Sequence, residues 1–415
     1  MIGHGAEKVQ QEFADQKVTW AVQAEQKGTG HAVAQAMPAI ANDAVVLVLY
    51  GDVPLIRTET LQQLVKIAST GDTLALLTVH LDNPNGYGRI IRDEVSNILA
   101  IVEQKDASAE QLRINEVNTG ILAVSAAHLH EWLPKLSSNN AQGEYYLTDV
   151  IAMAVANGVG VRAIHPLNEF EVQGVNDRLQ LAQLERVYQR ELADNLLRDG
   201  VSLADPRRID VRGTLTVGSD VSIDVGCIFE GDVTIEDGVT IGPYCIVRNS
   251  HLGAGSRIES YSLIDEARLE LDCNVGPYAR LRPGAELAEG ARVGNFCEIK
   301  KSHIGKGSKV NHLTYIGDAT LGADVNVGAG TITCNYDGVN KFQTNIGDGA
   351  FIGSNSSLVA PVTVGAGATV DRTRPSRSRR RGADRGSRAD LTAISPLARR
   401  TTDRDASSAG PWRSG

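Results

Sequence analysis

The sequence predicts an α/β domain, then a long helix, then a β-solenoid, and three observations carry that expectation. Strand–helix alternation fills residues 1–176, a leucine stripe at spacings of three and four follows, and a six-residue repeat runs from about residue 217 to 370. At 415 residues, 42% hydrophobic and 22% charged, the chain has room for two proper cores. Its longest apolar run, residues 45–50, is far too short to span a bilayer, and the opening M-I-G-H-G-A-E-K lacks the shape of a secretory signal. The five cysteines (Cys227, Cys245, Cys273, Cys297, Cys334) are odd in number and contain no C-x-x-C pair. They are expected to be small buried thiols in a reducing cytoplasm.

In the first segment, the apolar run A-V-V-L-V-L-Y ends in G-D-V-P at residues 51–54, and T-L-A-L-L-T-V follows a helical stretch at 59–67. Near-continuous apolar strands alternating with helices predict a parallel sheet covered on both faces, Rossmann-like in its layering. Ligands of such sheets sit at the carboxyl ends of the strands, which is where Tyr50, Gly51 and Asp52 fall. Next, residues 177–197 place Leu181, Leu184, Tyr188, Leu192 and Leu196 on one stripe, an amphipathic linker helix stopped by Asp199 and Gly200. Residues 200–213 then lead into the repeat, so the domain boundaries are expected at 1–176, 177–213, 214–370 and 371–415.

The repeat carries an aliphatic residue, then a small or acidic one, then a loose tetrad, as in I-E-D-G-V-T, V-G-P-Y-A-R and L-G-A-D-V-N. One such unit cannot bury its apolar side alone, so stacking makes the core. Three short strands per coil predict a triangular prism of roughly eight coils, about eighteen residues each and about 4.8 Å apart. The pattern resembles the hexapeptide-repeat family, which implies a left-handed parallel β-helix. Residues 333–345 break the hexad and are expected to loop out, because their polar side chains cannot occupy the core.

Beyond residue 370 the repeat gives way to an Arg-rich tail with twelve Arg, five Asp, no Lys and no Glu, a net +7 that leaves −16 on residues 1–370. A changed reading frame is the favoured origin of this segment. A disordered basic arm is the other reading, and no structure is assigned to it either way.

More specific resemblances lie along residues 1–370. Residues 23–32 (Q-A-E-Q-K-G-T-G-H-A), 50–55 (Y-G-D-V-P-L), 86–90 (G-Y-G-R-I), 101–103 (I-V-E), 118–120 (N-T-G) and 174–176 (G-V-N) carry the first. They resemble the nucleotidyltransferase half of the bacterial bifunctional N-acetylglucosamine-1-phosphate uridylyltransferase and glucosamine-1-phosphate N-acetyltransferase family. Residues 281–286 (L-R-P-G-A-E), 294–296 (G-N-F), 311–315 (N-H-L-T-Y) and 328–338 (G-A-G-T-I-T-C-N-Y-D-G) resemble its β-helix half. The resemblance implies acetyl transfer from acetyl-CoA to glucosamine-1-phosphate, then uridylyl transfer from UTP to N-acetylglucosamine-1-phosphate. The product, UDP-N-acetylglucosamine, feeds peptidoglycan and lipopolysaccharide synthesis. A cytoplasmic homotrimer is implied, with active sites between chains and with neither membrane nor nucleic acid as partner.

The site residues follow from the same resemblance. Asp52 and Asn176 would hold Mg²⁺, an ion that favours one or two protein oxygens plus waters and substrate phosphates. Gln23, Gly28 and Thr29 would hold the uracil, Gly88, Glu103 and Asn118 the sugar, and Tyr50 and Gly51 flank the nucleotide. His31 is expected to be helix scaffolding, and Asn176 has the rival role of helix N-cap. In the β-helix, His312 would be the general base, a role suited to imidazole near neutral pH. Its hexad position does not call for an inward aliphatic, so its ring is expected to project outward. Arg282 and Lys300 would bind the sugar phosphate, with Tyr315 and Asn326 beside them. Asn335 and Tyr336 would complete that pocket towards acetyl-CoA, and Ala329 and Ser354 would line the acetyl-CoA cleft.

One departure shapes the expectation. The family opens with a strand and a loop of the form L-A-A-G-x-G-T-R-M, and this chain begins about fifty residues too late to contain that triphosphate grip. Uridylyl transfer is therefore expected to be impaired, and acetyl transfer to be weakened only through lost terminal coils. Three other classes share features with the chain. These are a glucose-1-phosphate-type pyrophosphorylase, a γ-carbonic-anhydrase-like hydratase using His251, His303 and His312, and a non-catalytic trimeric β-helix fragment.

Overall fold

A computed structural model describes residues 1–371 apart from His4; the Arg-rich tail beyond lies outside the described residues. Contacts divide the chain into two units, with the boundary between Tyr188 and Gln189.

The first unit holds helices α1 (Ala6–Glu12), α2 (Thr29–Ala36), α3 (Thr58–Ser69), α4 (Ala126–Trp132) and α5 (Asp149–Ala156). Its strands are β1 (Val45–Val48), β2 (Thr73–His80), β3 (Arg89–Arg92), β4 (Ile98–Val102), β5 (Glu116–Ser125) and β6 (Gly160–Ile164). The sheet runs β4-β3-β5-β2-β6, with β1 also on β5. It is mixed and not parallel as expected: only β2 and β6 run parallel, while β5 is antiparallel to β1, β2 and β3. The apolar runs signalled burial on both faces, which parallel sheets share with any doubly covered strand. Along β2, Leu74 and Leu76 enter one core with Trp132 and Ile151, while Ala75 and Leu77 enter another with Leu64 and Val117. Both faces are covered. Direction is set instead by the short β3–β4 reversal, closed by Asp93 N donating to Asn97 O at 2.9 Å, and by the ten-residue β5.

The linker helix α6 (Arg178–Arg198) forms where the leucine stripe placed it, and the unit boundary falls inside it. Leu184 is buried, but Leu181 and Tyr188 are exposed, contrary to the stripe. Gln189 is buried in their place and pairs with Val211 like a strand neighbour, Nε2 donating to the carbonyl and Oε1 accepting from the amide, both at 2.8 Å. A polar side chain that satisfies a buried main chain is invisible to a hydrophobic pattern.

The second unit is a three-faced solenoid whose strands pair in parallel, the left-handed β-helix that the hexads implied. Along one face Ser222, Thr240, Arg257, Asn274, Arg292, Lys309 and Asn326 stack in register at intervals of 17 or 18 residues. The inward column includes Val221, Cys227, Val233, Val239 and Cys245, all nearly inaccessible. Pairing begins at Ser202–Leu203, inside the stretch expected to be a connection. There the inward aliphatics Leu203, Ile209 and Leu215 already keep the six-residue spacing, without the glycines that made later coils obvious.

One corner of the prism is a column of left-handed residues: Tyr244, Tyr261, Tyr278, Phe296 and Leu313, at φ between 50° and 59°. The aromatic rings stack at 5.3, 5.0 and 5.4 Å, a contact that offsets the strained backbone. The next coil, from Asn326 to Phe351, carries the insertion expected to loop out. Its ends do not: Thr333 and Thr344 are buried in the prism. Thr333 is tolerated because its hydroxyl donates to Gly317 O at 3.0 Å and accepts from Gly317 N at 2.8 Å. The loop proper lies between them, pinned by a Tyr336–Lys341 bridge.

Candidate functional site

Two sets of side chains, one in each unit, gather the residues singled out by sequence. In the first unit, β1 ends two residues before Tyr50, and Val175 N donates to Asp52 O at 2.8 Å, which draws residues 174–176 against the turn that follows the strand. Asp52 and Asn176 thereby line one cleft of about 760 Å³ with Tyr50, Asn83, Asn85 and Gln173. The cap of α6 is Asp177, whose Oδ1 accepts from Gln180 N at 2.8 Å, so Asn176 is not the N-cap. Gly51 sits exposed in the turn between Tyr50 and Asp52.

Gly88, Glu103 and Asn118, the residues expected at the sugar, stand beside this cleft. Asn118 N donates to Gly88 O at 2.9 Å, and Asn118 Oδ1 accepts from Gly120 N at 3.0 Å. A Cβ on Gly88 would come within 3.3 Å of Glu103 Oε1, so glycine keeps room over that carboxylate. Burial pushes the Glu103 carboxyl above its ordinary range, against the Thr148 hydroxyl that donates to it at 3.1 Å. Tyr50 joins the two groups: its phenol is raised by burial first, then by the charges of Glu103 and Asp52. Its ring fills the space above Gly120, where any side chain would collide.

Gln23, Gly28 and Thr29 lie apart from the cleft lining. Gln23 Nε2 donates to Gly28 O and meets His31 Nδ1, each at 3.1 Å. Gly28, at φ 102°, opens α2, and a Cβ there would lie 2.7 Å from Tyr145 O. The Thr29 hydroxyl accepts from Leu147 N at 3.1 Å. Residues 145–148 thus touch both this group and Glu103, a bridge with no sequence signal of its own.

In the β-helix, Arg282, Lys300 and Tyr315 belong to successive coils of one face. Arg282 Nη1 donates to Glu298 Oε1 at 2.8 Å. The Lys300 ammonium is held below its usual range, first by Lys341, then by burial and by Arg282, with Asp318 opposing. Lys341 comes from the inserted loop and was not singled out by sequence. Lys300, Lys341 and Arg282 thus act on one another here, with Glu298 beside Arg282 and Asp318 acting on Lys300, an arrangement that can attract an anion.

His312 is exposed at the end of its strand, and its Nδ1 lies 3.0 Å from Asn295 Oδ1 on the coil before. Asn335 is buried, donates to Asp318 and accepts from Phe342 N at 2.8 Å, so it anchors the loop. Tyr336 is exposed, its hydroxyl donating to Gly338 O at 2.5 Å. Ala329 and Ser354 lie on adjacent coils, tied by Asn355 N donating to Ala329 O at 2.8 Å. Asn326 stands on the His312 face and not on that of Lys300 and Tyr315. His251 and His303 pair with Glu236 and Glu286 on the third face, away from His312.

Fold and sites together define a two-domain transferase, a nucleotidyltransferase unit followed by a hexapeptide-repeat acyltransferase unit. Residues 4–165 match the nucleotidyl transferase family. The bifunctional protein GlmU of Marinobacter nauticus is 60% identical over 90% of this chain and 83% of its own length. Those of Burkholderia vietnamiensis and Acinetobacter baumannii are 58% and 56% identical over 89% of this chain, covering 82% and 81% of theirs. The chain belongs to the GlmU family. It is a glucosamine-1-phosphate N-acetyltransferase and N-acetylglucosamine-1-phosphate uridylyltransferase, whose combined product is UDP-N-acetylglucosamine.

Proposed function

We propose that acetyl transfer runs on the β-helix face carrying Arg282, Lys300 and Lys341, with His312 as base. The single observation that supports it is the cationic cluster, whose mutual repulsion a phosphate dianion relieves. Glucosamine-1-phosphate is anchored there by its phosphate. The His312 Nε2 takes a proton from the ammonium, and the freed amine attacks the thioester carbonyl of acetyl-CoA. The C–N bond forms, the C–S bond breaks, and the second proton shed by the nitrogen passes to the departing sulfur, so coenzyme A leaves as the thiol. Ala329 and Ser354, on neighbouring coils, flank the acetyl-CoA side, with Tyr336 at the loop.

Asn326 shares its face with His312, while Lys300 and Tyr315 lie on another, so the proposed set spans an edge of the prism. The exposed stack Tyr244, Tyr261, Tyr278 and Phe296 offers apolar surface for contact with a second copy, which supports the homotrimer. The cytoplasm suits a chain whose five cysteines are all free and which, among the described residues, has no helix long and apolar enough to cross a membrane.

For uridylyl transfer, Asp52 and Asn176 supply two oxygen donors on one cleft, a set that fits Mg²⁺. The ion, when bound, neutralises phosphate charge. Tyr50 and Glu103 shape the sugar side, and Gln23, Gly28 and Thr29 the base side. The test assays the two half-reactions separately. His312→Ala should lower acetyl-transfer kcat about 10²–10⁴-fold, the usual range for losing a general base. Asp52→Ala should weaken Mg²⁺ binding while acetyl transfer is kept. Acetyl transfer by His312→Ala within a few-fold of the parent would overturn the base assignment.

A further inference from the structure

Outside both sites, His80, Glu116 and His165 bring one ligand atom each to within 4.8 Å of one another. They come from three neighbouring strands. His80 ends β2, directly opposite Glu116 at the start of β5, and His165 follows β6, which pairs with β2 in parallel. None of the three lines the Asp52 cleft.

The surroundings orient two of these side chains, Glu116 and His165, as ligands usually are. Thr78 O lies 3.0 Å from His165 Nδ1, so that nitrogen carries the proton and Nε2 keeps its lone pair for a metal. Glu116 is buried, and its carboxylate is oriented by Arg92, Nε to Oε2 and Nη2 to Oε1 both at 2.7 Å, and by the Thr78 hydroxyl at 2.8 Å. Oε2 accepts one of those bonds and keeps a lone pair free. The two-point contact from the Arg92 guanidinium matches a carboxylate, which suits an oxygen ligand for a cation. His80 and His165 are exposed, with rings 5.3 Å apart, and can swing inward.

We propose that His80, Glu116 and His165 form a site for a divalent transition ion of the zinc class, with a fourth position open to solvent. Two imidazoles and one carboxylate suit Zn²⁺, Co²⁺ or Ni²⁺ and do not suit Mg²⁺, which wants oxygen donors. Metal bonds of about 2.0–2.2 Å put tetrahedral ligand atoms about 3.4 Å apart, so the two exposed rings close by about an ångström on binding. The ion would clamp β2, β5 and β6 at one end of the sheet.

Cobalt is the probe. Titration of the purified chain with Co²⁺ should give visible d–d bands of a four-coordinate nitrogen–oxygen site, saturating at one ion per chain and without thiolate charge-transfer absorption. Zn²⁺ should displace it and raise the melting temperature of the first unit by a few degrees through linkage. His80→Ala and His165→Ala should each weaken Co²⁺ binding at least about tenfold, in the usual range for lost metal ligands and their partners. Their double variant should abolish the bands while melting as the metal-free parent does. His312→Ala and Cys334→Ala should keep the bands. Equal Co²⁺ spectra in parent and double variant, or no bands in either, would overturn the assignment.

Discussion

Asn295 Oδ1 lies 3.0 Å from His312 Nδ1, across one coil, with their main chains in register. An acceptor at Nδ1 fixes the tautomer in which that nitrogen is protonated, leaving the Nε2 lone pair free to accept a proton, as the proposed base role requires. The parallel β-helix makes this pairing rigid, because residues one coil apart share the same outward direction.

From this, Asn295→Ala should lower acetyl-transfer kcat about 10–100-fold, less than loss of the base itself, with little change in KM for glucosamine-1-phosphate. Asn295→Asp should restore part of the rate. It should also shift the acid limb of the kcat–pH profile upward, since a carboxylate beside the ring favours imidazolium. A profile identical to that of the parent in both variants would show that Asn295 is only a neighbour.

Lys341 provides a second prediction. Its ammonium is the largest cause of the depressed Lys300 ionisation. Replacing it in Lys341→Met should remove one of the proposed phosphate contacts and let Lys300 return towards its usual range. The KM for glucosamine-1-phosphate should rise about tenfold or more while kcat changes little, the pattern of lost uniform binding. Inhibition by inorganic phosphate should weaken in parallel. A drop in kcat at unchanged KM would place Lys341 in the transition state instead.

The contrast between Asn295 and Lys341 shows what the sequence could convey. The hexads announced the prism because its period is local, and His312 stood out because its flanking motif is local too. Lys341 reaches Lys300 only through an insertion whose path the repeat does not encode. In the first unit, β5 pairs with strands on both sides at long separation, so the apolar runs revealed burial and left direction open. The leucine stripe held at Leu184, Leu192 and Leu196 and failed at Leu181 and Tyr188, next to which Gln189 took a core position through hydrogen bonds, since a pattern of apolar residues has no term for a satisfied amide.

Glu103 gives a stability prediction. Burial raises its folded-state ionisation above the ordinary range. The protonated form is thus favoured by folding, and this contribution is complete below the unfolded value of about 4.3 and lost as pH rises through the folded value. Glu103→Gln keeps an acceptor for Thr148 and removes the buried charge. The variant should melt about 2–4 °C above the parent at pH 7, and the gap should close near pH 4. A lower melting temperature at pH 7 would mean that the ionised Glu103 has a stabilising partner.

The cysteines test the prism itself. Burial pushes Cys227 to about 11, Cys245 to about 12 and Cys273 to about 11, and raises Cys297 as well. Three of these thiols donate across the coil to main-chain carbonyls, Cys227 to Gly242 at 3.3 Å, Cys245 to Glu259 at 3.2 Å and Cys273 to Ala288 at 3.3 Å. Only Cys334 is partly exposed. A disulfide-exchange reagent at pH 8 should therefore label one thiol of five in the native protein and all five in denaturant. The raised values also fix the sign with pH. The unfolded chain ionises first, near 8.5, so the neutral buried thiols stabilise fully below that pH and the contribution fades as pH climbs towards 11 or 12. The second unit should lose stability steeply in that window, by on the order of 3–5 kcal/mol per thiol at most. Rapid labelling of more than one thiol at pH 8 would show that the coils open far more readily than a closed, stacked prism allows.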